Sequence, residues 1–247
     1  MDPAVALVQA YLYANHYFTV TEYPVVESLG GKQYRAITDV DVLAVRFPRA
    51  GRLIPAGSRR ATDDVLDGAD PQLGAPEDRI HLIIGEVKEG RAELNRGARD
   101  PGTLRAALRR IGHLSADRAD SAVESLRRNG RYETPEAVVQ LFAFGSYPGD
   151  RGGYRTIVYR RMIRFMRQMA QENWSMLQSA QFKDPALSFL VLLMKSRFDQ
   201  PERQEPRGRD RRRNRPGRGA GGGGSGGRGR GGGGGGGRND DRGGTRH

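Results

Sequence analysis

Two short stretches hold the residue types that act on phosphates: TDVDVLAV, with Asp39 and Asp41, and HLIIGEVKEG, with Glu86 and Lys88. Each is an apolar run that ends in charge. Along a strand, residues two apart share a face, so Glu86 and Lys88 project together while Val87 points to the opposite side. If the two strands are neighbours, Asp41 approaches Glu86. Two carboxylates with the Val87 carbonyl then offer the hard oxygen donors that Mg2+ or Mn2+ prefers. Such an ion would bind a scissile phosphate and lower the pKa of a bound water, and Lys88 would orient that water and neutralise charge developing on the phosphate. Asp41, Glu86 and Lys88 are thus the candidate catalytic residues, with Asp41 and Glu86 the metal ligands. The competing reading treats Asp39, Asp41, Glu86, Lys88 and Glu89 as solvated strand-end charges in ordinary cross-strand pairs.

The flanking pattern must supply those strands. Val5, Leu7, Val8, Tyr11 and Leu12 recur near helical spacing behind Asp2 and Pro3, which predicts an opening helix over 3–15 with Asp2 as N-cap. The β-branched and aromatic run 18–27 and the run 32–48 read as antiparallel strands joined at Gly30-Gly31. Residues 48–79, with four prolines and four glycines, read as an inserted loop. A strand follows around Ile80, then helices over 103–114 and after Ser115, a fourth strand over 137–146, and a basic amphipathic helix over 156–178 with a short strand at its start. Beyond Pro185 comes one more apolar helix or strand ending near Phe198. This order predicts an α/β domain whose mixed central sheet is covered by helices on both faces.

An aspartate followed by two apolar residues on one strand, then an apolar strand ending Glu-Val-Lys, with a helix before and a helix after, resembles the PD-(D/E)XK nuclease superfamily. The resemblance implies a restriction-endonuclease-like core over roughly residues 1–170, a divalent-metal nuclease site and a homodimer. By it Asp41, ahead of Val42 and Leu43, matches the motif aspartate, with Asp39 the alternative, and Glu86 and Lys88 match the E-x-K half. The chain departs from the pattern in having no proline before Asp41 and 45 positions between Asp41 and Glu86. It also lacks a glutamate on the opening helix, for which Glu22 could substitute.

The 247 residues carry 41 Lys+Arg against 29 Asp+Glu, a net charge of +12, which argues for a polyanionic partner. Residues 201–247 alone hold 13 arginines, no lysine and 5 acids, and 19 of the 35 glycines. With almost nothing apolar to offset ordering entropy, residues 199–247 read as a disordered Arg/Gly-rich tail behind a domain spanning 1–198. Its scattered Arg-Gly pairs suit loose contact with phosphates and bases, or simple solubilisation. Arg160, Arg161, Arg164 and Arg167 line one helical face that could track a DNA or RNA backbone, or form a solvated surface. Arg105, Arg109 and Arg110 allow the same two readings, the solvated one favoured. His16, His81 and His113 are isolated from one another, and Trp174 and the methionines fit a core.

The absence of cysteine excludes disulfides, thiolate metal sites and cysteine nucleophiles. The longest apolar stretch, 187–194, is far below spanning length, and the N-terminus lacks a basic leader, so the expectation is a cytoplasmic protein without membrane contact. Two functions follow: a Mg2+- or Mn2+-dependent nuclease, or a nucleic-acid-binding or interaction module that keeps the fold without cleaving.

Overall fold

The Asp2 carboxylate accepts hydrogen bonds from the Ala4 and Val5 N–H groups, and Pro3 takes the first helical position of α1 (Pro3–Ala14). Asp2 therefore starts the helix as the residue types require. In this computed structural model residues 2–112, 115–150, 152–179 and 183–198 are described, without the side chains of Ala116, Arg197 and Phe198. His113 and the expected tail, 199–247, lie outside the described residues.

After α1 come β1 (Phe18–Gly30) and β2 (Gln33–Arg46), then β3 (Arg52–Ile54), β4 (Asp64–Leu66), β5 (Ile80–Val87) and β6 (Arg91–Ala92). The helices α2 (Pro101–Ile111) and α3 (Ala116–Asn129) follow, then β7 (Arg131–Glu133), β8 (Ala137–Gly145), β9 (Tyr147–Pro148) and β10 (Arg155–Val158). The described chain closes with α4 (Tyr159–Glu172), α5 (Trp174–Leu177) and α6 (Pro185–Phe198). The main sheet runs β1-β2-β5-β8-β10, with β7 also on β8. β1, β2 and β5 pair antiparallel, whereas β5, β8 and β10 are parallel.

Parallel strands need both faces covered, because their crossovers lie against the sheet. Accordingly β8 is buried at every position and β5 at all but Ile80. On one face Val8, Tyr11 and Leu12 of α1 and Met162 and Met166 of α4 pack on Val42, Ile83, Phe142 and Phe144. On the other, Leu104 and Leu108 of α2 and Val123 and Leu126 of α3 pack on Leu43, Leu82, Ile84 and Leu141. Each such side chain contributes roughly 1.5–3 kcal/mol by leaving water. Gly85 is needed within this packing, since a Cβ there would stand 2.8 Å from Phe144 Cε2.

The stretch 48–79 is not structureless: β3 and β4 form a small antiparallel hairpin, and a 3-10 turn covers Pro71–Leu73. The hairpin β1–β2 runs past the body, leaving Val26, Leu29 and Tyr34 exposed near its Gly30-Gly31 turn, where both glycines adopt positive φ.

Under the sheet the wholly buried His81 shares a 2.7 Å hydrogen bond between its Nδ1 and the Tyr17 hydroxyl. Burial drives the His81 pKa down to about 4, opposed by the Gln140 side chain and reinforced by Arg131, Arg155 and Arg46. The unfolded chain takes up this proton near pH 6.5, so the stability from the neutral ring is complete above that pH and is lost as pH falls toward 4. Melting temperature measured across this window should fall steeply in the wild type and more gently in His81→Gln.

Candidate active site

β2 and β5 pair from Arg46↔His81 up to Val42↔Gly85 and no further. Continued by two steps, that register would set Asp41 opposite Glu86 and Val40 opposite Val87. Instead the Val87 N–H donates to Asp41 Oδ2 at 2.7 Å, so a side-chain carboxylate takes the place of a ladder carbonyl. On its other flank β5 stays tied to β8, because the Lys88 N–H donates to the Phe144 carbonyl at 2.9 Å. The N–H and C=O of one strand residue project to the same side, so the Val87 carbonyl also faces the gap where β2 departs.

Glu86 and Lys88 do share a face. Glu86 is 3% exposed, Lys88 is 40% exposed, and Lys88 Nζ lies 2.5 Å from Glu86 Oε1. The same oxygen accepts from Asn95 Nδ2 at 2.5 Å. Asn95 is oriented by its own Oδ1, which accepts the Ala98 N–H at 2.6 Å. Both donors reach Oε1, and no hydrogen bond to Oε2 is seen among the described residues. The Tyr159 hydroxyl donates to the Lys88 carbonyl at 2.7 Å and Ser146 Oγ to the Glu89 carbonyl at 2.5 Å, which holds the segment after β5 in place. Asn95, Tyr159 and Ser146 carry no motif signal; only the folded chain brings them to the strand end.

Both carboxyls are pushed above their ordinary pKa. For Glu86 the main cause is burial, with the Asp41 charge adding to it and Lys88 opposing. For Asp41 it is again burial, opposed by the Val87 N–H and Lys88 and reinforced by Asp39 and Asp2. Asp41 and Glu86 therefore repel each other in a shared, poorly hydrated place, an arrangement that a cation relieves. Asp39 is exposed opposite Pro24. Glu22, at φ +52°, accepts from the Asp2 N–H at 3.2 Å, at the start of α1. Among the described residues no group of three His, Cys, Asp or Glu side chains could hold a metal. Two carboxylates and a carbonyl still fit Mg2+ or Mn2+, since Mg2+ usually keeps several waters and takes one or two carboxylates.

The arginine row divides. Arg160, Arg164 and Arg167 are exposed, form no ion pair among the described residues, and line an open groove of about 800 Å³ with Ser146, Tyr159 and Ile163. Arg161 departs from the expected row and turns inward. Its Nε and Nη2 reach the buried Asp70 carboxylate at 2.9 and 2.5 Å. Asp70 also accepts from the Tyr11 hydroxyl at 2.9 Å and the Gln72 N–H at 3.0 Å. Burial alone would raise the Asp70 pKa, but these hydrogen bonds, led by Arg161, hold it below its ordinary value. Ser146 and Tyr159 belong to the groove and also bond the Glu89 and Lys88 carbonyls, so the groove begins beside the segment that follows β5.

Neither a family model, nor a curated protein, nor a solved structure matches the chain. No helix among the described residues is long and apolar enough to cross a membrane.

Two substitution effects follow. Groups whose folded pKa is raised contribute stability below their unfolded pKa and lose it as pH rises through the folded value, so the ionisation of Asp41 and Glu86 costs stability. Glu86→Gln and Asp41→Asn should each raise the melting temperature at pH 7 by about 2–4 °C, the scale of 1 kcal/mol in a chain of this size. Arg161→Ala strands a buried charge and should cost about 3–5 kcal/mol in denaturant unfolding, whereas Arg164→Ala should stay within about 0.5 kcal/mol of wild type.

Proposed function

We propose that the chain is a metal-dependent nuclease that hydrolyses phosphodiester bonds, with a restriction-endonuclease-like core formed by α1, β1, β2, β5, α2 and β8. The observation that carries this reading is the early end of the β2–β5 ladder, which leaves Asp41, Glu86 and the Val87 carbonyl at one strand end with Lys88 beside them. The order of elements supports the core: a helix, an antiparallel three-stranded meander, helices, and a further strand parallel to the third.

Asp41 and Glu86 would hold Mg2+ or Mn2+, with the Val87 carbonyl as a third oxygen. When bound, the ion supplies Lewis-acid polarisation of the phosphate and a water of lowered pKa. Lys88, half in solvent and half on Glu86, places a positive charge where the attacked phosphate gains negative charge. Asn95 and Lys88 together fix Oε1 and so aim the remaining Glu86 oxygen. Arg160, Arg164 and Arg167 bring the polyanion to the strand end through charge attraction alone. Because both carboxyls hold their protons to higher pH than usual, metal loading and turnover should rise from acid pH toward neutrality.

The test is incubation of the purified chain with plasmid, linear duplex and single-stranded substrates plus Mg2+ or Mn2+, beside Asp41→Ala and Lys88→Ala. Metal-dependent cleavage that falls by about a hundredfold or more in each variant is expected. Cleavage by Asp41→Ala and Lys88→Ala equal to that of the wild type, or none by the wild type on any substrate, overturns the assignment.

A further inference from the structure

A second concavity of about 400 Å³ lies against the arginine groove and shares Ile163, Arg167 and Gln171 with it. Its far wall is α6, through Leu190, Leu193 and Met194. The two bays therefore flank one ridge of α4, with guanidinium groups on one side and apolar side chains on the other. α6 is largely apolar with no single apolar face, and among its described side chains Leu187, Val191 and Met194 are buried while Phe189 is 60%, Leu192 60% and Leu193 48% exposed. Phe189, Leu193 and Ser196 are spaced i, i+4 and i+7, so Phe189 continues by one turn the row that lines the second bay.

The cations of this trough are uncommitted. Among the described residues Arg105 pairs with Asp120, Arg128 with Glu124 and Arg79 with Glu133, whereas other exposed arginines, such as Arg59, Arg109 and Arg127, form no ion pair. Arg160, Arg164 and Arg167 have no such partner among the described residues. Their steps along α4 are about 6 and 4.5 Å of axial rise, a scale suited to successive phosphates of one backbone.

We infer that this trough binds single-stranded nucleic acid, its phosphates on Arg160, Arg164 and Arg167 and its bases on Phe189, Leu193 and Ile163. A duplex turns its base faces inward and gives the α6 row nothing apolar to meet, whereas an unpaired strand exposes both a charged edge and flat apolar faces. The trough starts at Ser146 and Tyr159, which bond the Glu89 and Lys88 carbonyls, so a strand lying in it is led to the end of β5. This inference rests on the nuclease reading for its purpose, but not for its test.

Binding is measured on the full chain in EDTA, where cleavage cannot occur, with a fluorescent 20-nucleotide oligothymidylate and a 20-base-pair duplex as probes over a range of salt. Phe189→Ala should weaken oligothymidylate binding about tenfold, the scale of one lost stack, without changing the salt slope or duplex affinity. Arg164→Gln should weaken oligothymidylate binding and lower the salt slope by about one. Unchanged oligothymidylate affinity in Phe189→Ala, or an equal loss for duplex, overturns the inference. So does a fall in molar mass by light scattering in Phe189→Ala, because the row would then be an interface between copies of the chain. A chain that passes this test but cleaves nothing with metal keeps the trough and loses the nuclease reading.

Discussion

The Val87 N–H has two claimants, a β2 carbonyl and the Asp41 carboxylate, and the carboxylate takes it. Most of what is chemical in the molecule depends on this replacement. Had the ladder continued, the backbone groups of Val87 would be consumed by β2. Because it stops at Val42↔Gly85, a gap opens at the end of β5 with an N–H bonded to a carboxylate, a carbonyl directed the same way, and Glu86 alongside. The cost is electrostatic: two carboxylates in a poorly hydrated place, both with raised pKa. Such a cost is usual where function, rather than stability, sets the side chains.

The rest of the fold supports that gap from three sides. β8 holds β5 through a parallel ladder that continues to Val87↔Phe144, so β5 cannot follow β2 away. Gly85 lets the Phe144 ring close over the strand just before Glu86. The Asp70–Arg161 pair, with Tyr11 on the same carboxylate, locks α4 to α1 and to the turn after β4. That lock orients α4, whose outward arginines then flank the groove beginning at Tyr159. Parallel strands place such a site at their carboxyl ends, where loops and helix starts converge, and here β5, β8 and β10 all deliver their chains to that edge.

Much of the positioning is legible in the sequence because its periodicities are strong. The cap at Asp2, the Gly30-Gly31 turn and the apolar runs of β5 and β8 announce elements whose types and approximate bounds the structure repeats. Glu86 and Lys88 meet because a period of two is unavoidable in a strand. Other features depend on contacts between distant residues. Asn95 carries no signal until the turn after β6 brings it to Glu86, and β3 and β4, at three residues each, are too short to stand out from loop. Arg161 looks like its neighbours in sequence, but one step along a helix rotates a side chain by about 100°, enough to carry it from the groove to the buried Asp70. A charged row on a helix therefore cannot be divided into contact and support without knowing where the buried acid lies.

The proposal that Asp41 and Glu86 serve one ion is tested most directly by calorimetric titration of Mn2+ into wild type, Asp41→Asn, Glu86→Gln and the double variant. One ion per chain should bind the wild type. Each single substitution should weaken it by about tenfold or more, with a non-additive loss in the double variant, as expected of two ligands on a shared ion. Undiminished Mn2+ binding in either single variant would contradict the shared site.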